Sequence, residues 1–342
     1  MRPFPAVFTM PVWRVRLGDG IRRVALCSAA VTAALFYFSS AAAEAPLRAL
    51  LLDGVVIGAD VVAVGEGGQI FRSPDNGRSW LRIPAGVKST LTGVSFATLT
   101  APRLGWIVGH DALILGTTDG GVTWTKQYQG ENLQGAFLDV IALDAQRVIA
   151  VGADGLYLST GDGGKTWTRR KITEDEYHFN RITRGSALTL YIAGEHGTLL
   201  RSPDLGATWH SLKTPYEGSF YGVIALDRQT LLAYGLRGHA YRSSDDGATW
   251  QKIETPRAVL LATAVKIGGS QLVLAGQART VLVSRDLGRT MDRAPDVLGT
   301  AVSKLLELPD GNVLALGEAG ATRLELGALF PAAESGPAKP TR

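Results

Sequence analysis

This chain is nearly without cysteine: Cys27 is the single one among 342 residues, and it lies inside an apolar leader. An exported form without that leader has no disulfide, no cysteine nucleophile and no thiolate metal site. Stability must then come from packing and from turns. A charge imbalance is missing too. Residues 1–43 hold five of the 35 Lys and Arg (Arg2, Arg14, Arg16, Arg22, Arg23) and one of the 31 acids (Asp19), leaving 30 of each sign afterwards. The formal net charge of +4 therefore belongs to the leader. A neutral remainder gives no general electrostatic pull toward nucleic acid or an anionic membrane.

Several chemistries lack their residues. The five histidines (His110, His178, His196, His210, His239) are scattered without HExxH spacing, and no GxSxG elbow occurs, so no metal, cofactor or catalytic residue is expected. GEGG at residues 65–68 precedes a strand-like run, where a phosphate-cradling loop needs a helix, and reads as a turn. Long apolar runs are confined to Val24–Phe38, VALCSAAVTAALFYF, which follows arginines and precedes the small residues of SSAAAEA. Residues 1–43 are read as a signal peptide cleaved after Ala43, which makes the protein secreted across the inner membrane and periplasmic. The alternative is an uncleaved anchor, the only direct membrane contact expected. Leu26 before Cys27 argues against a lipoprotein signal.

What is present is repetition. SPDNGRSW at residues 73–80 returns as TTDGGVTW, TGDGGKTW, SPDLGATW, SSDDGATW and SRDLGRTM. The acidic position falls at Asp75, Asp119, Asp162, Asp204, Asp245 and Asp286, at intervals of 44, 43, 42, 41 and 41 residues. A period near 42 is that of a four-stranded propeller blade, and the 299 residues after the leader hold about seven. Each unit has short runs rich in Val, Ile, Trp and Tyr between turn residues, with no long 3.6-period stretch. The seventh, Ala301–Leu326, keeps the strand pattern without the motif. The expectation is an all-β, seven-bladed β-propeller of four-stranded antiparallel blades over residues 44–330, with a flexible tail at 331–342. Strands are lettered A to D from the axis outward, and the motif turns the chain from C to D.

In such a turn the aspartate can accept hydrogen bonds from its own backbone N–H groups, the glycine can take a positive φ, and Trp80 can fill a seam between sheets. The pattern S/T-x-D-x-G-x-T-W resembles the Asp box of bacterial neuraminidase repeats. The fuller repeat, GEGGQIFRSPDNGRSW and GEHGTLLRSPDLGATW, is similar to the photosystem II stability/assembly factor family and its non-photosynthetic bacterial relatives. Met291 in place of tryptophan and the missing seventh box are the departures. The resemblance implies an accessory or assembly factor for a membrane protein complex, and the missing catalytic residues make a protein binder and not an enzyme the expectation.

Alternating strands put the boxes on one face and the B–C and D–A turns on the other. The boxes repeat, whereas the opposite turns vary as one asymmetric partner would require. Candidate partner-binding residues there are Glu66, His110, Glu195, His196, Arg237, His239 and Arg279 from B–C turns, and Tyr177, Tyr216 and Tyr221 from D–A connections. The competing reading for the B–C residues is an ordinary solvated turn, and Phe179 and Phe220 are expected to begin A strands in the core. Arg72, Arg201 and Arg242 recur three residues before their aspartates. The resemblance implies an arginine-lined surface that contacts a partner, here Arg201 and Arg242, while the plain alternative pairs each with an acid on the next blade. The main functional alternative is a glycan-binding or sialidase-like propeller. Its Arg-Ile-Pro element belongs on a first strand before the first box, whereas Arg82-Ile83-Pro84 follows Trp80 on outer strand D.

If the boxes lock the blades, Asp162→Ala lowers the melting temperature relative to wild type; calorimetry that finds the two equal removes the locking role.

Overall fold

The computed structural model describes residues 47–131, 134–186 and 188–331, all within the unit from Ala45 to Arg342. The leader 1–43 and residues 332–342 of the expected tail lie outside the described residues. Among those described, no helix is long and apolar enough to cross a membrane. Seven antiparallel sheets follow one another in chain order, six of four strands and the last of three. Their inner A strands are Leu51–Ile57, Leu91–Ala97, Phe137–Ala142, Phe179–Arg184, Phe220–Ala225, Leu261–Ile267 and Val302–Glu307. Each A strand touches the next, and the first touches the seventh, so the ring closes by packing. It is a seven-bladed β-propeller, as the repeat period implies.

Four of the B strands, Val148–Gly152, Leu190–Gly194, Leu231–Gly235 and Val313–Gly317, are buried along their whole length. A strand covered on both faces needs a continuous apolar run rather than an alternating one. Between blades lie seven apolar seams. The box aromatic of one blade packs into its seam with the blade before: Trp124 against Val62, Val64 and Ile70, Trp209 edge-on to Tyr157 at 6.1 Å, and Met291 in the equivalent seam with Leu232. Trp80 packs with Leu306, Leu314 and Leu316 and so joins the first blade to the last.

Box geometry follows the chemistry read from its residues. Ser73 Oγ donates to Asp75 Oδ1 at 2.8 Å and accepts the Gly77 N–H at 2.8 Å. Asp75 also receives the Ser79 N–H at 2.8 Å and the Ser79 hydroxyl at 2.6 Å. The chain can turn this sharply because Asn76 (φ 58°) and Gly77 (φ 78°) are both left-handed. The same bonds recur at Asp119, Asp162, Asp204, Asp245 and Asp286. The Asn76 N–H donates to Ala59 O in the A–B turn at 2.9 Å, which fixes both turns on one face.

Blade 7 has no box and, among the described residues, no D strand. Its seam with blade 6 is filled instead by a short helix, Leu326–Leu329. Leu329 and Phe330 pack with Val281, Val283 and Ala294, and the Arg285 guanidinium lies over the Phe330 ring at 5.2 Å. A buried ring here takes the part that a box aromatic plays in the other seams.

Two outcomes follow from this packing. Phe330→Ala is expected to cost about 3–5 kcal/mol, the usual loss for a buried phenylalanine, with hydrogen exchange rising first in Val281–Ser284 and Gly320–Leu324. Hydrogen bonds from the threonine four residues on hold the carboxyls of Asp162, Asp204 and Asp245 at about 2. A depressed pKa adds stability that is complete above the unfolded carboxylate value of about 4 and is lost as pH falls through about 2. Melting temperature should therefore drop steeply between those values, and replacing all three by Asn should flatten that drop while lowering the plateau at neutral pH.

Candidate functional site

The axis is the first place to look in a propeller, and here it is plugged. The third residue of successive A strands reads Asp53, Gly93, Asp139, Arg181, Gly222, Thr263 and Lys304. In every A strand the pairing with strand B slips just before this residue. A bulge of this kind re-aims the following side chain. Asp53 on blade 1 accepts from Lys304 Nζ on blade 7 at 2.6 Å and lies 3.4 Å from Arg181 on blade 4, a contact that must cross the axis. Its other oxygen accepts the Val94 N–H of blade 2 at 3.0 Å. Asp139 accepts the Ile182 N–H of blade 4 at 2.9 Å and lies 3.9 Å from Arg181 Nε.

Burial raises both carboxyls. Beside Lys304 and Arg181, Asp53 nonetheless stays below its ordinary value, whereas burial wins at Asp139 and pushes it up. Tyr234, also buried here, is pushed up to about 12 by burial. The two acids are 1% and 4% exposed, so this carboxylate pair cannot reach a substrate. The sequence reading missed this quartet. The available signal was four charged residues at one aligned position, the third of each inner strand.

The open surface is the rim opposite the boxes. The first N–H of each B–C turn donates to the residue just before its own A strand, as Glu195 N does to His178 O (3.1 Å) and Leu236 N to Ser219 O (3.1 Å). B–C turns and D–A connections thus form one surface, as the sequence implies. The apex of these turns is left-handed: Gly67 in blade 1, then Asp111, Asp154, His196 and Arg237 in blades 2 to 5. In blade 6 Arg279, one residue further, is left-handed as well. Each non-glycine residue in this conformation costs roughly 1–2 kcal/mol, and such strain concentrates at functional sites.

Two adjoining clefts sit on blades 4 and 5. One, of about 550 Å³, is lined by His196, Pro215, Tyr216, Glu217, Arg237 and His239 among others. The other, of about 430 Å³, includes Asp175, Tyr177 and again His196. Tyr216 stacks on His239 at 4.6 Å, with Tyr241 behind, and Tyr177 on His196 at 4.4 Å. Burial, followed by the charges of Lys252 and Arg237, holds the His239 imidazole below its ordinary value. Its Nδ1 is buried without a hydrogen-bond partner. His178 Nδ1 accepts the Asp154 N–H at 3.2 Å and lies 3.4 Å from Glu195.

The structure therefore brings together Tyr177, Glu195, His196, Tyr216, Arg237 and His239. Glu66, His110 and Arg279 lie exposed on the B–C turns of blades 1, 2 and 6, and half-buried Tyr221 sits on the A strand of blade 5. Phe179 and Phe220 are core residues, 1% and 0% exposed. Arg201 and Arg242 do not line this rim. Each reaches the residue after the box aspartate of the next blade: Arg201 pairs with Asp246 at 2.7 Å, and Arg242 Nε donates to Leu287 O at 2.9 Å. Arg323 donates likewise to Asn76 O and closes the ring from blade 7 to blade 1. Pairing across the seam, the plainer alternative, is what the geometry gives for Arg201. Arg72 pairs with Asp60 within its own blade. Arg82 and Ile83 lie on the outer strand of blade 1, away from the axis.

Fold and surface define the class: a seven-bladed β-propeller with recurrent aspartate turns on one face, an ion-paired axis and one variable rim. Residues 131–266, which run from just before blade 3 into the A strand of blade 6, match the family described as Photosynthesis system II assembly factor YCF48. The chloroplastic photosystem II stability/assembly factor HCF136 of Cyanidioschyzon merolae is 32% identical over 116 residues, 33% of this chain and 25% of that protein. The match thus spans about a quarter of the length of that curated relative. Among solved structures, YCF48 bound to D1 peptide superposes with a TM-score of 0.68 at 21% identity, covering 82% of this chain and 94% of that one. YCF48 from Cyanidioschyzon merolae gives 0.69 at 15%, covering 83% and 98%. The WD40 propeller domain of Doa1 gives 0.66 at 13%, covering 83% and 96%, so fold likeness extends beyond the family. The chain is similar to the photosystem II stability/assembly factor propellers in sequence over its middle blades and in fold around the ring.

A direct check of the plug is Arg181→Met, which leaves Asp53 and Asp139 without their shared cation. Breaking a buried pair by removing one partner costs about 3–5 kcal/mol, read as a shift of the urea midpoint. An unchanged midpoint would show that the axis is not ion-paired in solution.

Proposed function

We propose that this protein is a non-enzymatic, exported propeller that binds a subunit of a membrane protein complex in the periplasm and assists its assembly. The observation that carries the reading is a coincidence of place. The segment similar to the assembly-factor family, residues 131–266, is also the segment that builds both rim clefts. A solved YCF48 is bound to D1 peptide, and a peptide or loop of a membrane protein is the kind of ligand proposed here. Aromatic side chains in concave, half-buried positions are what protein interfaces use as anchors. The sealed axis supports a binder over a hydrolase, because the central carboxylates are locked in ion pairs.

The leader supplies export, and cleavage after Ala43 frees the propeller. Glu66, His110, Arg279 and Tyr221 extend the contact surface on neighbouring blades. Arg201 and Arg242 act through it by holding blade seams.

A photo-crosslinking residue at Tyr177 or Tyr216, used in intact cells, is expected to capture a membrane-complex subunit, and the same residue at Leu99 on the box face is not. Tyr216→Ala should lose the capture while the purified protein still unfolds in one cooperative transition. Hydrolysis of a fluorogenic sialoside, or equal capture from both faces, would overturn this function.

A further inference from the structure

The rim is electrically polarised along its B–C turns. At the apex of successive B–C turns the left-handed residue is Asp111 in blade 2, Asp154 in blade 3, His196 in blade 4, Arg237 in blade 5 and Ala278 in blade 6, where the next residue, Arg279, is left-handed too and carries the charge. Glycine, which blade 1 uses at Gly67, would take this conformation without strain. Blade 6 bears the same strain with Ala278, so it is the order of the charges around the rim, acids before cations, that points to a use for them.

The flanking connections extend the pattern. On the side of blades 3 and 4, Asp175 and Glu176 are exposed and make no ion pair, while Glu174 is matched by Lys171 at 3.0 Å. On the side of blades 5 and 6, Arg257 joins Arg237 and Arg279, Lys252 and Glu254 neutralise each other at 3.2 Å, and Glu217 is the single unmatched acid of these connections. The larger cleft, floored by the Tyr216 and His239 stack, sits where the sign changes.

Resting on the reading that this rim is the partner-binding surface, we infer that its ligand is an extended peptide segment with segregated charge. Its basic residues lie over blades 3 and 4, an aromatic or apolar residue enters the Tyr216–His239 cleft, and its acidic residues meet Arg237 and Arg279. Complementary charge of this kind fixes direction and register more than it adds raw affinity. An extended chain fits because the two clefts adjoin along the rim at His196 and do not open into a deep cavity.

The test uses two fluorescein-labelled peptides of one composition: a lysine block, a phenylalanine and an aspartate block, against the same residues interleaved. Anisotropy should show the block peptide binding at least roughly tenfold more tightly at low salt, with the preference shrinking as salt screens the charges. Arg237→Glu should abolish the preference. Arg237→Gly, which suits the left-handed backbone and so keeps the fold, should weaken the block peptide as well. Arg228→Glu, the same charge change on the box face, should leave binding unchanged. Equal affinity for the two peptides, or a preference that Arg237→Gly leaves undiminished, overturns the inference. If the rim still captures its membrane-complex subunit in cells, only the peptide chemistry fails; if that capture fails too, the function fails with it.

Discussion

The blades of a propeller surround an axial channel, and here that channel is closed by ion pairs. Asp53 receives a cation from blade 7, a guanidinium from across the ring and a backbone N–H from blade 2. Arg181 in turn lies beside Asp139. No blade could satisfy these groups alone, since a buried charge without its partner is expensive. The quartet therefore ties together blades that lie far apart in the chain. Gly93 and Gly222 serve the same end by subtraction: a Cβ at Gly93 would come within 3.3 Å of the Asp139 carboxylate, and one at Gly222 would strike the Tyr234 hydroxyl.

With the centre fixed, the two faces are free to specialise. The box face spends its side chains on itself. Aspartate, hydroxyl and glycine close each turn, the aromatic enters the seam, and Arg201, Arg242 and Arg323 reach across to the next box. That leaves little polar capacity for a ligand. The opposite rim needs only its backbone bonds to hold shape, so its side chains can vary. Acids gather over blades 3 and 4 and cations over blades 5 and 6.

Much of this was legible before any coordinates. A box every 41 to 44 residues gives blades, blade count and the sidedness of the turns, because each box is a local motif whose bonds span only four residues. His196, Arg237, His239 and Tyr216 could be placed on one rim for the same reason, as turn residues at a fixed offset from the box. Arg201 and Arg242 were legible as a repeated position but not as a role. Their partners, Asp246 and Leu287, are on the next blade, and only packing decides whether a strand C arginine faces solvent or a seam. The substitution of Leu329 and Phe330 for a seventh box residue was hidden likewise, since a short apolar run near a chain end gives no hint of which seam it fills.

By itself the sequence determined the repeating unit, its internal turn chemistry and which residues would share a face, all of which depend on neighbours within one blade. Tertiary structure alone decided the axial ion network, the arginine clamps between blades and the meeting of two clefts at His196. The network and the clamps join residues from 41 to 247 or more positions apart, as with Asp53 and Val94 or Arg323 and Asn76. A local code can specify a blade, but the curvature that brings the first and last blades together is a property of the whole ring.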